Sequence, residues 1–406
     1  MAPGSKPSML APIYLDHHAT TPCDPRVVEA MAPFWNESFG NAASRTHALG
    51  WRAAEAVEAA REAVAALVGA RPRDVVFTSG ATEANNLALL GTLRSRGARG
   101  AHIVTCVTEH RAVLDPCAAL EREGCAVTRL PVDRDGRLDL DRLRAALARP
   151  TQLVSLMHAN NEIGVIHPIA NIARIVHEHG ALLHTDAAQS AGWVPVDVED
   201  LGADLLSLSG HKLYGPKGIG ALVLRRRRPS LRLEPILHGG GHERGLRSGT
   251  LPVPLCVGFG RACQITAQER PAHAARVLEL RERLWRRLRE GLEGVWLNGD
   301  VERRLPGNLN VSFRGVEGQT LLVSLPELAL STGSACTSAN PEPSHVLRSL
   351  GLGKDRALGA IRIGIGRSND DAEIERAAQL LVAGVQRLRS LRASGRPGVR
   401  DGGTSQ

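Results

Sequence analysis

The stretch that decides the fold is LLSLSGHKLYGPKGIG, residues 205–220. It begins as a short apolar run, which is typical of a buried strand, and it ends in a glycine-rich turn with Lys212 between the two. A lysine at the edge of a sheet is partly desolvated, and its amine is then available as a nucleophile. The alternative is a surface lysine before a turn, which is the commoner case for a lysine considered alone.

Similar apolar runs lie on both sides of this stretch. They occupy residues 75–78, 102–107, 152–157, 181–184 and 220–224, and they alternate with helical segments. Near-continuous apolar strands of this kind indicate a parallel or mixed sheet that is covered on both faces. Residues 53–68 are rich in alanine and glutamate, and they predict a long helix that ends at Gly69.

The chain changes character after about residue 255. Residues 256–290 form a long, arginine-rich helical stretch, and shorter strand-like runs follow at 309–313 and 361–365. We therefore predict a large domain over residues 16–265 and a small α+β domain made of residues 1–15 and 266–392. The remaining residues, 393–406, are polar and glycine-rich, which predicts a disordered tail.

The composition is that of an ordinary globular enzyme. Of the 406 residues, 43% are hydrophobic and 23% are charged, and the net charge is +8. Part of the excess lies in Arg225–Arg228, but no nucleic-acid motif accompanies it, so a solvated basic surface is favoured over direct nucleic-acid binding. No leader segment and no membrane span are predicted, and the seven scattered cysteines indicate neither a disulfide framework nor a zinc site. We expect a cytoplasmic protein.

A second strand end carries the partner that Lys212 requires. Asp186 closes the apolar run that begins at Ala181. A strand-end aspartate and a strand-end lysine are the two anchors of pyridoxal phosphate, because one pairs with the pyridinium nitrogen and the other forms the Schiff base. Gln189 lies three residues after Asp186, one helical turn away, and can reach the ring hydroxyl.

Three further motifs are each open to two interpretations. The turn TSGATEANN, residues 78–86, follows a strand and offers free N–H groups to a phosphate, or else Ser79 or Thr82 simply caps a helix. His110 follows a strand, where it can stack on an aromatic ring or move a proton, or else it is a structural histidine. Residues 239–250 are glycine-rich and form either a flexible linker or an anion-binding segment.

In combination, these motifs resemble the cysteine desulfurases, which are pyridoxal-phosphate enzymes of the class-V aminotransferase group. The resemblance runs from Tyr14 to about Leu388 and rests on SGATE, TEH, NNEIG, DxxQ, SGHK, GGGHERGxRSGT and GSAC, in that order. It implies an α/β, fold-type I architecture. The large domain would hold a mixed, mostly parallel seven-stranded sheet, and a smaller α+β domain would follow.

The resemblance also implies roles for individual residues. Lys212 would carry the cofactor and move the substrate α-proton, and His110 would stack on the ring as a second catalytic residue. The other implied cofactor contacts are Asp186 at the ring nitrogen, Gln189 at the ring oxygen, Asn161 near the ring, and Ala81, Thr82, Ser209 and His211 at the phosphate. Thr250 would reach the phosphate of the other subunit of a homodimer. Asn161 and Arg362 would bind the substrate carboxylate.

Cys336 lies in STGSACTSANPEPS, residues 331–344, whose small polar residues predict exposure rather than burial. A thiolate there can attack the sulfur of bound L-cysteine, which leaves a persulfide on Cys336 and alanine. In the family, loops of this longer kind pass sulfur to iron–sulfur scaffold or other acceptor proteins. Cys336 is then a possible transient iron–sulfur ligand, and no resident metal is expected. His17 and His18 are assigned no role.

Two other functions remain open at this point. A selenocysteine lyase or a related aminotransferase would use the same cofactor residues and leave Cys336 incidental. A cofactor-bearing scaffold would mainly bind assembly partners or RNA through its basic surface. Turnover of L-cysteine distinguishes the desulfurase from both.

Overall fold

The computed structural model describes residues 11–225, 231–332 and 343–394. The strands are β1 (Ile13–Tyr14), β2 (Val75–Thr78), β3 (His102–Cys106), β4 (Ala126–Leu130), β5 (Leu153–Ser155), β6 (Leu182–Asp186), β7 (Leu205–Ser209), β8 (Gly220–Leu224), β9 (Val295–Leu297), β10 (Asn308–Phe313), β11 (Leu328–Ala329) and β12 (Ala360–Gly364). The α-helices are α1 (Pro25–Met31), α2 (Pro33–Asn36), α3 (Ala48–Leu67), α4 (Ala81–Asn86), α5 (Thr92–Ser95), α6 (Arg111–Arg122), α7 (Leu140–Ala146), α8 (Ile169–Glu178), α9 (Val253–Gly291), α10 (Gly318–Val323), α11 (His345–Ser349), α12 (Lys354–Leu358) and α13 (Asp371–Ala393).

The main sheet has seven strands in the order β2-β8-β7-β6-β5-β3-β4. Its strands pair in parallel except for β8, which is antiparallel to both β2 and β7. The predicted mixed, mostly parallel seven-stranded sheet is therefore confirmed. The central strands β6 and β7 are buried at every residue, as expected where helices cover both faces.

The seventh strand, β4, is the one that the apolar runs did not reveal. It lies at the edge of the sheet, beside β3 alone, and four of its five residues are only partly buried. An edge strand needs fewer apolar residues because part of its surface faces solvent, so its sequence, AVTRL, lacks a continuous apolar signal. Only the family resemblance implied a seventh strand.

The helix α3 begins at Ala48 rather than at the predicted Ala53. The His47 side chain caps its first turn by accepting a hydrogen bond from the Gly50 N–H, 3.2 Å away. Its C-terminal side matches the prediction, since the helix ends at Leu67 and Gly69 follows with a φ of +65°. The left-handed conformation of that glycine ends the helix.

The 39-residue helix α9 contributes to two of the hydrophobic cores, one in each half of the helix. Its first half packs, through Phe259 and Ala262, against α3 and against the face of the main sheet that α3 covers. Its second half packs with β10, β12 and α13 through Leu280, Leu284 and Leu288. The long connecting helix is thus present, while the domain boundaries at residues 16–265 and 266–392 stay a prediction.

The smaller domain contains the antiparallel sheet β12-β10-β9 and the parallel pair β1-β11. A backbone bridge joins Asp16, two residues after β1, to Gly364 in β12. This pairing brings residues 16–20 from the start of the chain next to the carboxyl edge of the main sheet. Most of the predicted tail, from residue 395, lies outside the described residues. None of the helices in the described ranges has the length and apolar composition that a membrane span requires.

Candidate active site

A cavity of about 770 Å³ lies at the carboxyl ends of β5, β6 and β7. The predicted site residues that line it are Ala81, Thr82, His110, Asn161, Asp186, Gln189, Ser209, His211, Lys212 and Arg362. Ligands of α/β proteins bind outside the carboxyl ends of parallel strands, so the position matches the expectation from topology. Residues that were not predicted also line the cavity, namely Asp16, His18, Asn85, Lys217 and Ser331.

Lys212 closes a short 3₁₀ turn that follows β7. Its Nζ atom donates hydrogen bonds to the backbone carbonyls of His18 and Ala19, at 2.5 and 2.7 Å. Burial is the main cause that lowers its pKa to about 8, and the charge of Arg362 acts in the same direction. The neutral, nucleophilic fraction of this amine near neutral pH is therefore much larger than that of an ordinary lysine. The surface-lysine alternative is wrong.

Asp186 is the last residue of β6, and its carboxylate is held from two sides. The Asn85 side chain donates to Oδ2 at 2.7 Å, and the Ala188 N–H donates to Oδ1 at 2.9 Å. Asn85 is fully buried in α4, so this contact also ties the helix to the strand end. Sequence reasoning missed Asn85, although it lies within the TSGATEANN motif.

Turns, rather than the helix that the three-residue spacing suggested, connect Gln189 to Asp186. Its Nε2 donates to the His18 carbonyl at 2.9 Å, and its Oε1 lies 3.2 Å from Nδ1 of His18. An amide nitrogen carries two hydrogens, so one remains for another acceptor in the cavity. The predicted proximity of Gln189 to Asp186 holds, but the geometry behind it differs.

His18 is the main residue that sequence reasoning left without a role. It is 2% exposed, and burial lowers its pKa to about 3, so the ring is neutral. Because the Gln189 oxygen only accepts, Nδ1 of His18 donates to it and Nε2 is left as an acceptor. That Nε2 has no partner among the described residues. No pattern in the sequence around His18 pointed to this position.

The other two histidines of the cavity are also uncharged at neutral pH. His110 precedes α6 and accepts the Ala112 N–H through Nδ1 at 3.0 Å, so its proton is on Nε2. Burial lowers its pKa, although the Asp186 carboxylate acts in the opposite direction. His211 contacts the Thr20 hydroxyl at 3.0 Å, and burial lowers its pKa to about 4 with help from Lys212 and Lys217.

The turn before α4 is open and has no side-chain cap. Gly80 occupies the N-cap position with a φ of +151°, and no side chain accepts the first N–H groups of the helix. The nearest carboxylate, Glu83, instead accepts the N–H of Ser79 at 2.7 Å. The simple capping interpretation of Ser79 or Thr82 is therefore wrong, and the N–H groups at Ala81 and Thr82 face the cavity end of the helix, as anion binding requires.

A second group of polar residues in the cavity surrounds Arg362. Arg362 in β12 donates to Asp16 Oδ1 at 2.8 Å and to the Asn161 carbonyl at 3.2 Å. The same Asp16 oxygen accepts the Ser331 hydroxyl at 3.1 Å. We call Asp16, Asn161, Ser331 and Arg362 the arginine end of the cavity. We call His110, Asp186, Gln189 and Lys212 the lysine end.

Thr250 is exposed and is not among the residues that line the cavity. The glycine-rich segment before it is anchored, because buried Glu243 pairs with Arg61 at 2.7 Å. Arg247 in the same segment pairs with Glu83 at 2.8 Å, beside the turn that precedes α4. The flexible-linker interpretation of residues 239–250 is therefore wrong.

Cys336 lies outside the described residues. The other cysteines are Cys23, which is half-buried, and the buried Cys106, Cys117, Cys125, Cys256 and Cys263. Burial raises the pKa of every one of these six thiols, for example to about 12 for Cys106. They are consequently poor nucleophiles at neutral pH. Within the described ranges, no group of three or more metal-ligating side chains is placed to hold a metal ion.

Comparison with known proteins identifies the family. Residues 13–377 match the family described as Aminotransferase class-V. A protein named cysteine desulfurase IscS, from Anaeromyxobacter sp. strain Fw109-5, is 56% identical over 94% of this chain and 95% of its own length. Among solved structures, a NifS-like protein superposes with a TM-score of 0.85 at 36% identity, covering 94% of this chain and 100% of its own.

A second solved relative, described as SspA in complex with cysteine, has a TM-score of 0.77 and 37% identity over 88% of this chain and 99% of its own. Each of these matches spans most of both proteins. The chain therefore belongs to the class-V aminotransferase family and, within it, to the cysteine desulfurases.

Proposed function

We propose that this protein binds pyridoxal phosphate at Lys212 and removes sulfur from L-cysteine, giving L-alanine and a persulfide on Cys336. One observation supports this most strongly. A strand-end lysine, a strand-end aspartate and a buried arginine line the same cavity, although Asp186 and Arg362 come from different sheets. These are the groups that a pyridinium ring, its aldehyde and an amino-acid carboxylate require, namely a carboxylate, an amine and a guanidinium.

The residues present fit that cofactor. Asp186 offers a carboxylate for the ring nitrogen, and Lys212 lies in the same cavity with its pKa lowered to about 8. Gly80, Ala81 and Thr82 line the cavity, and an added Cβ at Gly80 would meet nothing within 4 Å, so this turn leaves open space for a phosphate. The neutral ring of His110 lines the same cavity and offers a flat face for stacking.

Bound pyridoxal phosphate supplies an electron sink for the substrate α-carbon. The chain supplies the rest: Arg362 binds the substrate carboxylate, and the amine of Lys212 takes the α-proton and later returns it. Asp186, buried and hydrogen-bonded on both oxygens, holds a negative charge in a fixed position without reorganisation. The neutral His110 carries its proton on Nε2 and can donate it from there.

The sulfur step requires a thiolate, and Cys336 is the remaining candidate after the six poorly nucleophilic thiols. Its sulfur attacks the substrate sulfur, an S–S bond forms, and the Cβ–S bond of L-cysteine breaks. The substrate carbon retains the electron pair and takes a proton, so alanine leaves. The net change is L-cysteine plus a protein thiol to L-alanine plus a protein persulfide, which balances without an added oxidant.

The test of this proposal is alanine formation from L-cysteine by the holoenzyme in the presence of a thiol reductant. We expect Cys336→Ala to bind the cofactor normally, as judged by absorbance, and to lose persulfide formation. The matched control is Cys23→Ala, because Cys23 is the one half-buried thiol in the described residues and should be dispensable. Full sulfur transfer by Cys336→Ala would refute the proposal. Amino transfer to a 2-oxo acid would favour an aminotransferase instead.

We further propose a homodimer in which Thr250 contacts the phosphate of the other subunit. Its exposure and its absence from its own cavity support this role. A mixed dimer of one Lys212→Ala and one Thr250→Ala subunit separates the possibilities. If Thr250 acts across the interface, one site has both defects, the other is intact, and activity returns. If Thr250 acts within its own subunit, both sites are defective and the mixed dimer stays inactive.

We also propose that the persulfide sulfur passes to acceptor proteins, including iron–sulfur scaffolds, in the cytoplasm. Labelled sulfur transferred from Cys336 to a purified scaffold would support this, and the Cys336→Ala protein provides the background.

A further inference from the structure

Glu162 is a buried carboxylate that the proposed function does not use. It is 3% exposed and lies in the NNEIG motif between β5 and α8. Its Oε2 accepts the hydroxyl of Ser344 at 2.5 Å, directly before α11. Its backbone carbonyl accepts the side-chain amides of Asn308 and Asn310 in β10, at 3.1 and 3.3 Å. One residue of the large domain thus contacts two elements of the small domain.

The turn around Glu162 is fixed by its own sequence. The Asn160 side chain accepts the N–H groups of Glu162 and Ile163, at 2.8 and 2.9 Å. Gly164 closes the turn with a φ of +72°, and a Cβ there would lie 2.5 Å from the Asn308 side chain. The backbone of the motif therefore lies against β10 at a distance that only glycine permits.

This turn also contacts the arginine end of the cavity. The carbonyl of Asn161, one residue before Glu162, accepts Nη1 of Arg362 at 3.2 Å. Burial raises the pKa of Glu162 to about 7, whereas the Ser344 hydroxyl and the charge of Arg362 lower it. Among the described residues, Arg362 is the charged group that acts on Glu162, and Asp16 lies on another side of that guanidinium. The contacting groups from α11 and β10 are neutral.

We propose that Glu162 is a positioning residue for Arg362, and that ionised Glu162 weakens the binding of an amino-acid carboxylate to that arginine. The turn is held to β10 and to the start of α11, so the Asn161 carbonyl keeps the guanidinium in place. A second negative charge, beside that of Asp16, makes Arg362 less attractive to an incoming carboxylate. The inference rests on the proposed function only in assigning Arg362 to the substrate carboxylate.

The test measures binding of L-alanine to the holoenzyme by calorimetry, because alanine has the substrate carboxylate but no thiol to titrate. For the unmodified protein we expect the Kd to rise about fivefold between pH 6 and pH 8, as Glu162 loses its proton. Glu162→Gln keeps the shape and can still bond to Ser344, but it cannot ionise. Its Kd at pH 8 should match the low-pH value of the unmodified protein, and the pH dependence due to this group should disappear.

A second variant tests the positioning role separately, and it decides the matter if Glu162→Gln does not fold. Ser344→Ala removes the hydroxyl that donates to Glu162 and that also caps α11 by accepting the Val346 N–H at 3.0 Å. At pH 6, where Glu162 is largely protonated with or without this hydroxyl, we expect KM for L-cysteine to rise about fivefold with kcat nearly unchanged. Ser344→Thr, which keeps the hydroxyl, should restore KM. Ser349→Ala is the matched control, since Ser349 lies in α11, the helix that Ser344 caps, and its hydroxyl donates to the His345 carbonyl at 2.7 Å.

Two results would overturn the inference: an unchanged pH dependence in Glu162→Gln, or an unchanged KM in Ser344→Ala. Arg362→Ala separates this failure from a failure of the proposed function. If Arg362→Ala binds L-alanine as tightly as the unmodified protein, the assignment of Arg362 is wrong. If it binds weakly while Glu162→Gln keeps the original pH dependence, only the role of Glu162 is wrong.

Discussion

The two ends of the cavity are built in different ways. At the lysine end, Asp186 and Lys212 come from the ends of the adjacent strands β6 and β7, 26 positions apart. At the arginine end, Asp16 and Arg362 are separated by 346 positions and meet through the small domain. Asp186 and Lys212 do not form an ion pair with each other, whereas Asp16 and Arg362 do, at 2.8 Å.

This difference has a chemical consequence. A carboxylate such as Asp186, with neutral donors on both oxygens, can accept a cationic ring without breaking an existing salt bridge. Arg362 must share its guanidinium between Asp16 and an incoming carboxylate. We therefore expect substitutions at the lysine end to abolish activity and substitutions at the arginine end to tune affinity.

The largest effect should come from Lys212→Ala. Removing the amine removes both the covalent anchor and the proton carrier, so we expect alanine formation to fall by on the order of 10⁴-fold or more. Absorbance of the bound cofactor and the rate of alanine formation measure the two losses. Lys217→Ala is the matched control, because Lys217 lines the same cavity five residues later. Equal losses in both variants would contradict the assignment of Lys212.

A smaller effect is expected from Asn85→Ala. The substitution removes the donor to Asp186 Oδ2 but leaves the carboxylate itself, so the cost should be about 1.5 kcal/mol, or roughly tenfold in cofactor affinity. Equilibrium dialysis of the cofactor measures it. Asn86→Ala serves as the control, because Asn86 bonds to the Thr82 carbonyl instead. An unchanged affinity in Asn85→Ala would mean that Asp186 is held by the strand end alone.

The lysine end could be predicted because its residues follow apolar strands directly. Parallel strands place their carboxyl ends together, so the sequence alone predicts that Asp186, Lys212 and His110 lie near one another. The main sheet was predicted for the same reason, apart from the edge strand β4. Position in the sequence predicted Asp186 and Lys212 as cofactor anchors and Gln189 as a ring contact, whereas the family resemblance supplied the roles of the other site residues.

The arginine end could not be predicted from local pattern. Arg362 lies within an ordinary strand of the small domain, and only the resemblance pointed to it. Asp16 and His18 were missed because their importance depends on β1 pairing with β11, two strands of two residues each. Ser331 begins a polar stretch, and nothing in that stretch singles it out. Contacts between residues hundreds of positions apart leave no periodic signal in a single sequence.

The rate of cofactor binding should depend on pH through Lys212, at the lysine end of the cavity. Since burial lowers the pKa of Lys212 to about 8, its neutral fraction should rise about fivefold between pH 7 and pH 8 and level off above pH 9. The rate at which apoprotein combines with pyridoxal phosphate, followed by absorbance, should rise with it. A combination rate that is flat between pH 7 and pH 9 would contradict the lowered pKa.

The same lowered pKa affects stability. The folded pKa of Lys212 lies below the unfolded value, so the free energy of unfolding should rise as pH rises from about 8 to 10.5.

The smallest effect, and the one most specific to the comparison, should come from Asp16→Asn. Without ligand, Arg362 loses its carboxylate partner, so the free energy of unfolding should fall by roughly 1–3 kcal/mol. With ligand, the competing charge is gone, so L-alanine should bind about threefold more tightly. Thermal unfolding with and without L-alanine measures both changes, and the stabilisation by ligand should be larger in the variant than in the unmodified protein.

Asp24→Asn is the matched control for Asp16→Asn. Asp24 pairs with Arg367 in an ion pair that is similarly shielded but does not line the cavity. The Asp24→Asn substitution should lower the free energy of unfolding without changing the affinity for L-alanine. If Asp16→Asn also left that affinity unchanged or weakened it, Asp16 would be a fixed part of the carboxylate site rather than a competitor for Arg362. The two ends of the cavity would then both be preorganised, and the distinction between them would be one of sequence distance alone.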